Sequence, residues 1–85
     1  MTDELSDIRE HIDLIDERIV NLLQQRYFFV DKIGSIKKEK NIPITDIERE
    51  TKVIQTLSKT TNLNSEIIED VYKEILKHSR RLQKR

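Results

Sequence analysis

Residues 5–37 read LSDIREHIDLIDERIVNLLQQRYFFVDKIGSIK, and their apolar side chains recur every three or four positions, which places them on one face of an α-helix. The apolar positions are Leu5, Ile8, Ile12, Ile15, Ile19, Leu22, Phe29, Ile33 and Ile36. Arg26 occupies a position where this spacing requires a hydrophobic residue, and Lys37 follows eleven residues later. Eleven residues are about three helical turns, so the two cations point the same way, roughly 16 Å apart along the axis. The sequence therefore predicts a long helix with two cations on its inward face.

Cations on an inward face require a partner, because charged side chains are rarely buried alone. Either another chain supplies the anions, or a small anionic ligand does. Formal net charge is zero, which argues against bulk attraction to nucleic acid or anionic membranes.

The composition of the 85-residue chain fits a single helical domain, predicted here to span residues 1–85. Charged residues make up 38% and hydrophobic residues 35%, and there is no cysteine to form a disulfide or act as a nucleophile. The acidic N-terminus is unlike a signal peptide, and no apolar run approaches the length of a membrane span. We therefore expect a soluble, cytoplasmic protein.

Helix-breaking and helix-capping residues divide the sequence into three predicted helices, at about residues 4–39, 46–59 and 65–83. Pro43 ends the first, the capping box Thr45–Glu48 begins the second, and Asn64 or Ser65 caps the third. Gly34 lies inside the first helix, where it either permits a close approach of backbone or ligand or is a tolerated weak point. The predicted fold class is all-α, with one long and two shorter helices.

The length of the first helix predicts a dimer. At roughly 36 residues it is about 54 Å long, whereas a compact chain of this size has a radius of gyration of about 12 Å. Two short helices cannot cover an apolar face of that length, so an intertwined homodimer with paired long helices is the simplest solution. The alternative is a helix broken near Gly34 and folded back into a monomeric bundle.

The two shorter helices also carry polar groups on their inward faces. Glu50 interrupts the apolar line of the second helix, with Asp46 and Arg49 beside it, and Ser79 and Gln83 end the line of the third. A buried network that pairs Arg26 or Lys37 with Glu50 is one interpretation. The inward cations outnumber the inward anions, however, and this surplus favours a small polyanionic ligand, particularly a dicarboxylate.

At these positions the chain resembles the all-helical chorismate mutases. The resemblance covers nearly the whole chain and rests on Ile8-Arg9-Glu10-x-Ile12-x-x-Ile15-Asp16, Leu22-Leu23-x-x-Arg26, Gly34-x-x-Lys37 through Ile42-Pro43, Asp46-x-x-Arg49-Glu50 and Ser79-x-x-x-Gln83. It implies an isomerase that rearranges chorismate to prephenate, the entry to phenylalanine and tyrosine. This Claisen rearrangement needs no nucleophile, metal or redox cofactor.

The resemblance also implies roles for individual residues. Arg26 would grip one substrate carboxylate, and Arg9 of the neighbouring protomer would contact a carboxylate as well. Lys37 and Gln83 would donate hydrogen bonds to the ether oxygen of the breaking bond. Glu50 would accept a hydrogen bond from the ring hydroxyl. The polar shell would be completed by Asp46, Arg49 and Ser79, and Ile33 would form an apolar wall.

Three alternatives to a mutase stay open at this level. An isochorismate-pyruvate lyase resembles the family and shares its cationic clamp, although Glu50 favours the mutase. A catalytically silent regulatory partner and a plain helical assembly module are the others. Outside the predicted site, we expect the cluster Tyr27–Phe29 to pack in the core and the tail Arg80–Arg85 to be a solvated helix end.

Overall fold

A computed structural model describes residues 3–85 as three α-helices without a strand. Helix α1 spans Glu4–Lys40, α2 spans Ile47–Lys59 and α3 spans Ser65–Gln83. The predicted three-helix, all-α class is confirmed, with each boundary correct to within one residue. The predicted domain also includes residues 1 and 2, which lie outside the described residues. Within residues 3–85, no helix is both long and apolar enough to cross a membrane.

Each helix begins at a short polar side chain that accepts a backbone hydrogen bond. Asp3 accepts from the N–H of Leu5, and Asn64 accepts from Glu66. The predicted capping box at Thr45 is wrong by one residue, because the cap of α2 is Asp46, whose Oδ1 lies 3.0 Å from the Arg49 nitrogen. A carboxylate suits this position better than a hydroxyl, since its charge also favours the positive end of the helix dipole.

The C-terminus of α1 is closed by a left-handed residue just before Pro43. Asn41 has φ 57°, and the N–H groups of Asn41 and Ile42 return to the carbonyls of Lys38 and Lys37. This is a Schellman motif, which pairs carbonyls that the helix leaves free. The chain then turns back towards α2, so the loop stays close to Lys37.

Helix α3 packs against both other helices and carries most of the core. It contacts the C-terminal half of α1 on one side and α2 on the other. The buried residues are Val30 and Gly34 of α1 and Ile68, Leu76 and Ser79 of α3. The core therefore lies at one end of α1, beside the predicted cations.

Gly34 is the point of closest approach between α1 and α3. An ideal Cβ on this residue would lie 2.8 Å from the Cα of Gln83 and 3.2 Å from its carbonyl oxygen. Contacts this short with backbone atoms cannot be relieved by a side-chain rotation. Of the two interpretations of Gly34, the close approach is therefore the one observed. It allows the backbone of Gln83 to lie directly against α1.

Replacing Gly34 by alanine is expected to lower the free energy of unfolding by about 1–2 kcal/mol. Overpacking costs about 1–3 kcal/mol, and a clash with backbone atoms belongs to the upper part of that range, about 2–3 kcal/mol. The better helix propensity of alanine returns about 1 kcal/mol. Urea unfolding followed by circular dichroism measures the difference. Ser35→Ala, at the exposed neighbouring position, is the matched control. A Gly34→Ala protein as stable as this control would contradict the close approach.

The first half of α1 presents an apolar stripe to solvent in the single chain. Its side chains are about half exposed: Leu5 51%, Ile8 51%, Ile12 49%, Ile15 52%, Ile19 49% and Leu22 61%. The chain measures 61 × 25 × 16 Å and has a radius of gyration of 16.6 Å. Because α1 runs unbroken through Gly34, the alternative of a broken helix in a monomeric bundle is wrong.

Candidate active site

A cavity of about 290 Å³ lies where the C-terminal half of α1, the first half of α2 and the end of α3 meet. Of the eight residues predicted to bind substrate, seven line it: Arg26, Lys37, Asp46, Arg49, Glu50, Ser79 and Gln83. Its apolar wall includes Val30, Ile33 and Leu76. Residues from positions 26 to 83 of the sequence thus converge on one small volume.

Arg9 is the predicted site residue that the chain does not bring to this cavity. It is exposed on the first half of α1, 17 residues before Arg26. That separation corresponds to about 26 Å along the helix. A small molecule in the cavity cannot reach Arg9 of the same chain.

Arg26 is fixed by a buried hydroxyl and not by a carboxylate. Its Nη1 donates to Ser79 Oγ at 2.6 Å, and that hydroxyl donates to the carbonyl of Ile75 at 2.8 Å. Ser79 is only 4% exposed. The guanidinium is held in one orientation, and no carboxylate within residues 3–85 forms an ion pair with it.

Lys37 has a similar environment at the other end of the cavity. Its Nζ donates to the carbonyl of Ile44 at 2.8 Å, which ties the ammonium to the loop after α1. Within residues 3–85, neither Lys37 nor Arg26 forms an ion pair. Both groups keep N–H donors for a ligand, because an ammonium has three and a guanidinium five.

Gln83 carries a buried oxygen that lacks a hydrogen-bond partner within the described residues. Its Nε2 donates to the carbonyl of Ser79 at 3.3 Å, whereas Oε1 is buried and unpaired. The amide nitrogen has a second hydrogen that this bond does not use. An incompletely paired amide in a cavity wall is a group that a ligand can engage at little cost.

Glu50 is bound by Arg80 and not by the cations of α1. Arg80 Nη1 lies 2.6 Å from Glu50 Oε1, and the two side chains are 30% and 22% exposed. The alternative interpretation, a network that pairs Glu50 with Arg26 or Lys37, is therefore wrong. The prediction of a solvated tail is also wrong at Arg80, which lines the cavity. Its position three residues before Gln83, on the same side of a helix, was the available signal.

The cavity carries an excess of positive charge. Four cations line it (Arg26, Lys37, Arg49 and Arg80) against the two carboxylates of Asp46 and Glu50. Asp46 caps α2, and Glu50 pairs with Arg80. Two positive charges are left over, which matches a ligand with two negative charges.

Tyr27 braces the helix contact beside Arg26. Its hydroxyl donates to the carbonyl of Ile75 at 3.2 Å, the same carbonyl that Ser79 uses. Burial raises the pKa of Tyr27 above its ordinary value of 10.0, and the nearby charge of Arg26 opposes the shift. The rest of the predicted core cluster is wrong for the single chain, because Phe28 and Phe29 are 59% and 61% exposed.

Comparison with known proteins shows the family of the chain. The family model for chorismate mutase type II matches residues 8–84, nearly the whole sequence. The chain belongs to the chorismate mutase type II family. The resemblance drawn from the sequence motifs is therefore confirmed, and with it the prediction of an enzyme of the isomerase class.

Individual relatives support the assignment. The chain is 33% identical over 87 residues to a chorismate mutase of Methanocaldococcus jannaschii, covering 99% of this chain and 88% of that one. It is also 42% identical to a bifunctional chorismate mutase/prephenate dehydratase of Buchnera aphidicola from Acyrthosiphon pisum, and 39% identical to one of Aquifex aeolicus. These matches cover 91% and 89% of this chain but only 21% and 20% of the bifunctional proteins.

Proposed function

We propose that two copies of this chain pair their long helices and rearrange chorismate to prephenate in two equivalent cavities. The mutase activity follows from the family, as does a place in aromatic amino acid biosynthesis. The residue roles, the homodimer, the single-domain organisation over residues 1–85 and a cytoplasmic location are the parts proposed here. The observation that carries the proposal is the surplus of two positive charges in a cavity of about 290 Å³.

The homodimer is supported by the apolar stripe of α1. Six aliphatic side chains along its first half are about half exposed in the single chain. Paired antiparallel, the two copies of α1 would cover each other's stripes and bring Arg9 of each chain towards the cavity of the other. Two-fold symmetry would then give two identical sites, each completed by Arg9 of the partner subunit.

Substrate positioning is assigned to the arginines. Arg26 would bind one carboxylate of chorismate, and Arg9 of the partner subunit would bind the other. A clamp on both carboxylates selects the compact pseudo-diaxial conformer, in which the reacting carbons are close together. The hydrogen bond from Arg26 to Ser79 supports this role, because it fixes the guanidinium before substrate arrives.

Transition-state stabilisation is assigned to Lys37 and Gln83. Negative charge grows on the ether oxygen as the C–O bond breaks, so donors aimed at that oxygen bind the transition state more tightly than the substrate. Lys37 keeps two N–H groups beyond its bond to Ile44, and the amide nitrogen of Gln83 keeps one beyond its bond to Ser79. The carboxylate of Glu50 would accept a hydrogen bond from the ring hydroxyl of chorismate. Asp46 and Arg49 line the cavity beside it.

Purified protein is expected to consume chorismate with loss of its ultraviolet absorbance and formation of prephenate. Because Gln83 is neutral and needs no proton, turnover is expected to change little between mildly acidic and mildly basic pH. A sharp fall in chorismate turnover above neutral pH would contradict the role of Gln83.

Isochorismate is the control substrate that separates the mutase from the lyase. If the protein releases pyruvate from isochorismate faster than it turns over chorismate, the lyase is favoured.

A further inference from the structure

Arg80 and Glu50 join the two walls of the cavity that come from α3 and α2. Their ion pair is 2.6 Å long and links residues thirty positions apart. The other ion pair within residues 3–85, Lys77–Glu74, lies inside α3. The resemblance to the family assigns a role to Glu50 but none to Arg80.

The same pair separates the cavity from a second groove. Glu50, Leu76 and Arg80 line both the candidate active site and a groove of about 310 Å³ between α2 and α3. The lining of that groove also includes Ile54 and Lys73, which do not line the candidate active site. The ion pair therefore forms part of the wall between the active site and the surface.

Only one oxygen of Glu50 is occupied by this contact. Arg80 binds Oε1, and within residues 3–85 the second oxygen, Oε2, has no hydrogen-bond partner and is not buried. A charge-assisted contact of this length fixes the carboxylate plane, so Oε2 is presented in a defined direction. A carboxylate freed from Arg80 could turn instead to Lys37 or Arg49, which line the same cavity.

We propose that Arg80 is a positioning residue that holds the Glu50 carboxylate ready for the substrate hydroxyl and away from the cations that bind the substrate carboxylates. The inference rests on the proposed function and deepens it. Arg80 acts through Glu50 and does not touch the substrate. It also offsets the charge of Glu50, which would otherwise repel a dianionic ligand.

Replacing Arg80 by methionine is expected to raise KM for chorismate about tenfold, with kcat changed by less than about threefold. The hydroxyl contact is present in both substrate and transition state, so its loss weakens binding more than chemistry. Arg81→Met is the matched control, because it removes the same charge from an exposed neighbouring position. Arg80→Lys keeps a cation without the guanidinium fork and should recover part of the lost affinity.

A double-mutant cycle with Glu50→Gln separates positioning from a purely structural role. If Arg80 acts through Glu50, Arg80→Met should change KM by less than about twofold in the Glu50→Gln background. A merely structural clamp would lower the thermal midpoint and leave KM of the folded protein unchanged. An unchanged KM in Arg80→Met, or a full tenfold effect retained in the double variant, overturns the inference.

Two outcomes distinguish this inference from the proposed function. If the wild-type chain does not turn over chorismate, the proposed function fails and the inference falls with it. If the wild-type chain is active and the Arg80 variants match it, only the inference fails. Should Arg80→Met not fold, Arg80→Lys decides: a KM raised at least about threefold supports positioning, and an unchanged KM refutes it.

Discussion

Replacing Lys37 by methionine is expected to lower kcat for chorismate by about 10²–10³ while the three helices stay folded. Lys37 is the cation assigned to the ether oxygen, where charge appears only as the bond breaks. In the folded chain its ammonium makes one neutral hydrogen bond, to the carbonyl of Ile44, and no ion pair within residues 3–85. Methionine keeps the length of the side chain and removes a partly buried charge, so stability should change little.

The measurement is chorismate turnover under saturating conditions, with circular dichroism to confirm the helix content. Lys38→Met, at the exposed adjacent position, is the matched control and should retain full activity. A loss confined to KM would mean that Lys37 binds substrate and transition state equally well. A more stable Lys37→Met protein with unchanged turnover would instead favour an assembly role for this helix and contradict the assigned chemistry.

Most of the fold could be predicted because local signals determine it. The spacing of apolar residues predicted the extent of α1 to within one residue. Pro43 lies in the connection that follows α1, and Asn64 caps α3. The inward direction of Arg26 followed from the same spacing, and the structure places its guanidinium on Ser79 of another helix. Helical periodicity was thus enough to predict that Arg26 faces the cavity.

Contacts between helices could not be predicted from periodicity. The partner of Glu50 is thirty residues away. The helical pattern places Arg80 on the same side of α3 as Gln83, but it does not indicate that Arg80 binds Glu50 of α2. Gly34 was ambiguous for the same reason, because its contact is with the backbone of Gln83. A one-dimensional pattern gives the direction of a side chain but not the crossing of helices that decides what it meets.

Mixing two inactive variants is expected to restore activity if the cavity is completed by a second chain. Arg9→Ala removes the cation that the partner would supply, and Lys37→Met removes one that belongs to the cavity itself. Each homodimer carries the same lesion in both sites, and we expect each to lose about 10²-fold or more in kcat/KM. In a heterodimer, one site receives both lesions and the other receives neither.

The activity recovered in the mixture can be calculated from the number of intact sites. Random pairing makes about half of the dimers mixed, and each mixed dimer has one intact site of two, so about a quarter of wild-type activity should return. The variants are mixed in urea and refolded together, because intertwined subunits exchange slowly. Arg26→Met mixed with Lys37→Met is the matched control: each substitution damages the cavity of the chain that carries it, so both sites of a heterodimer are damaged. Activity that stays at the average of the two parents in the Arg9 mixture would mean that Arg9 does not act across subunits, and the exposed stripe of α1 would then need another explanation.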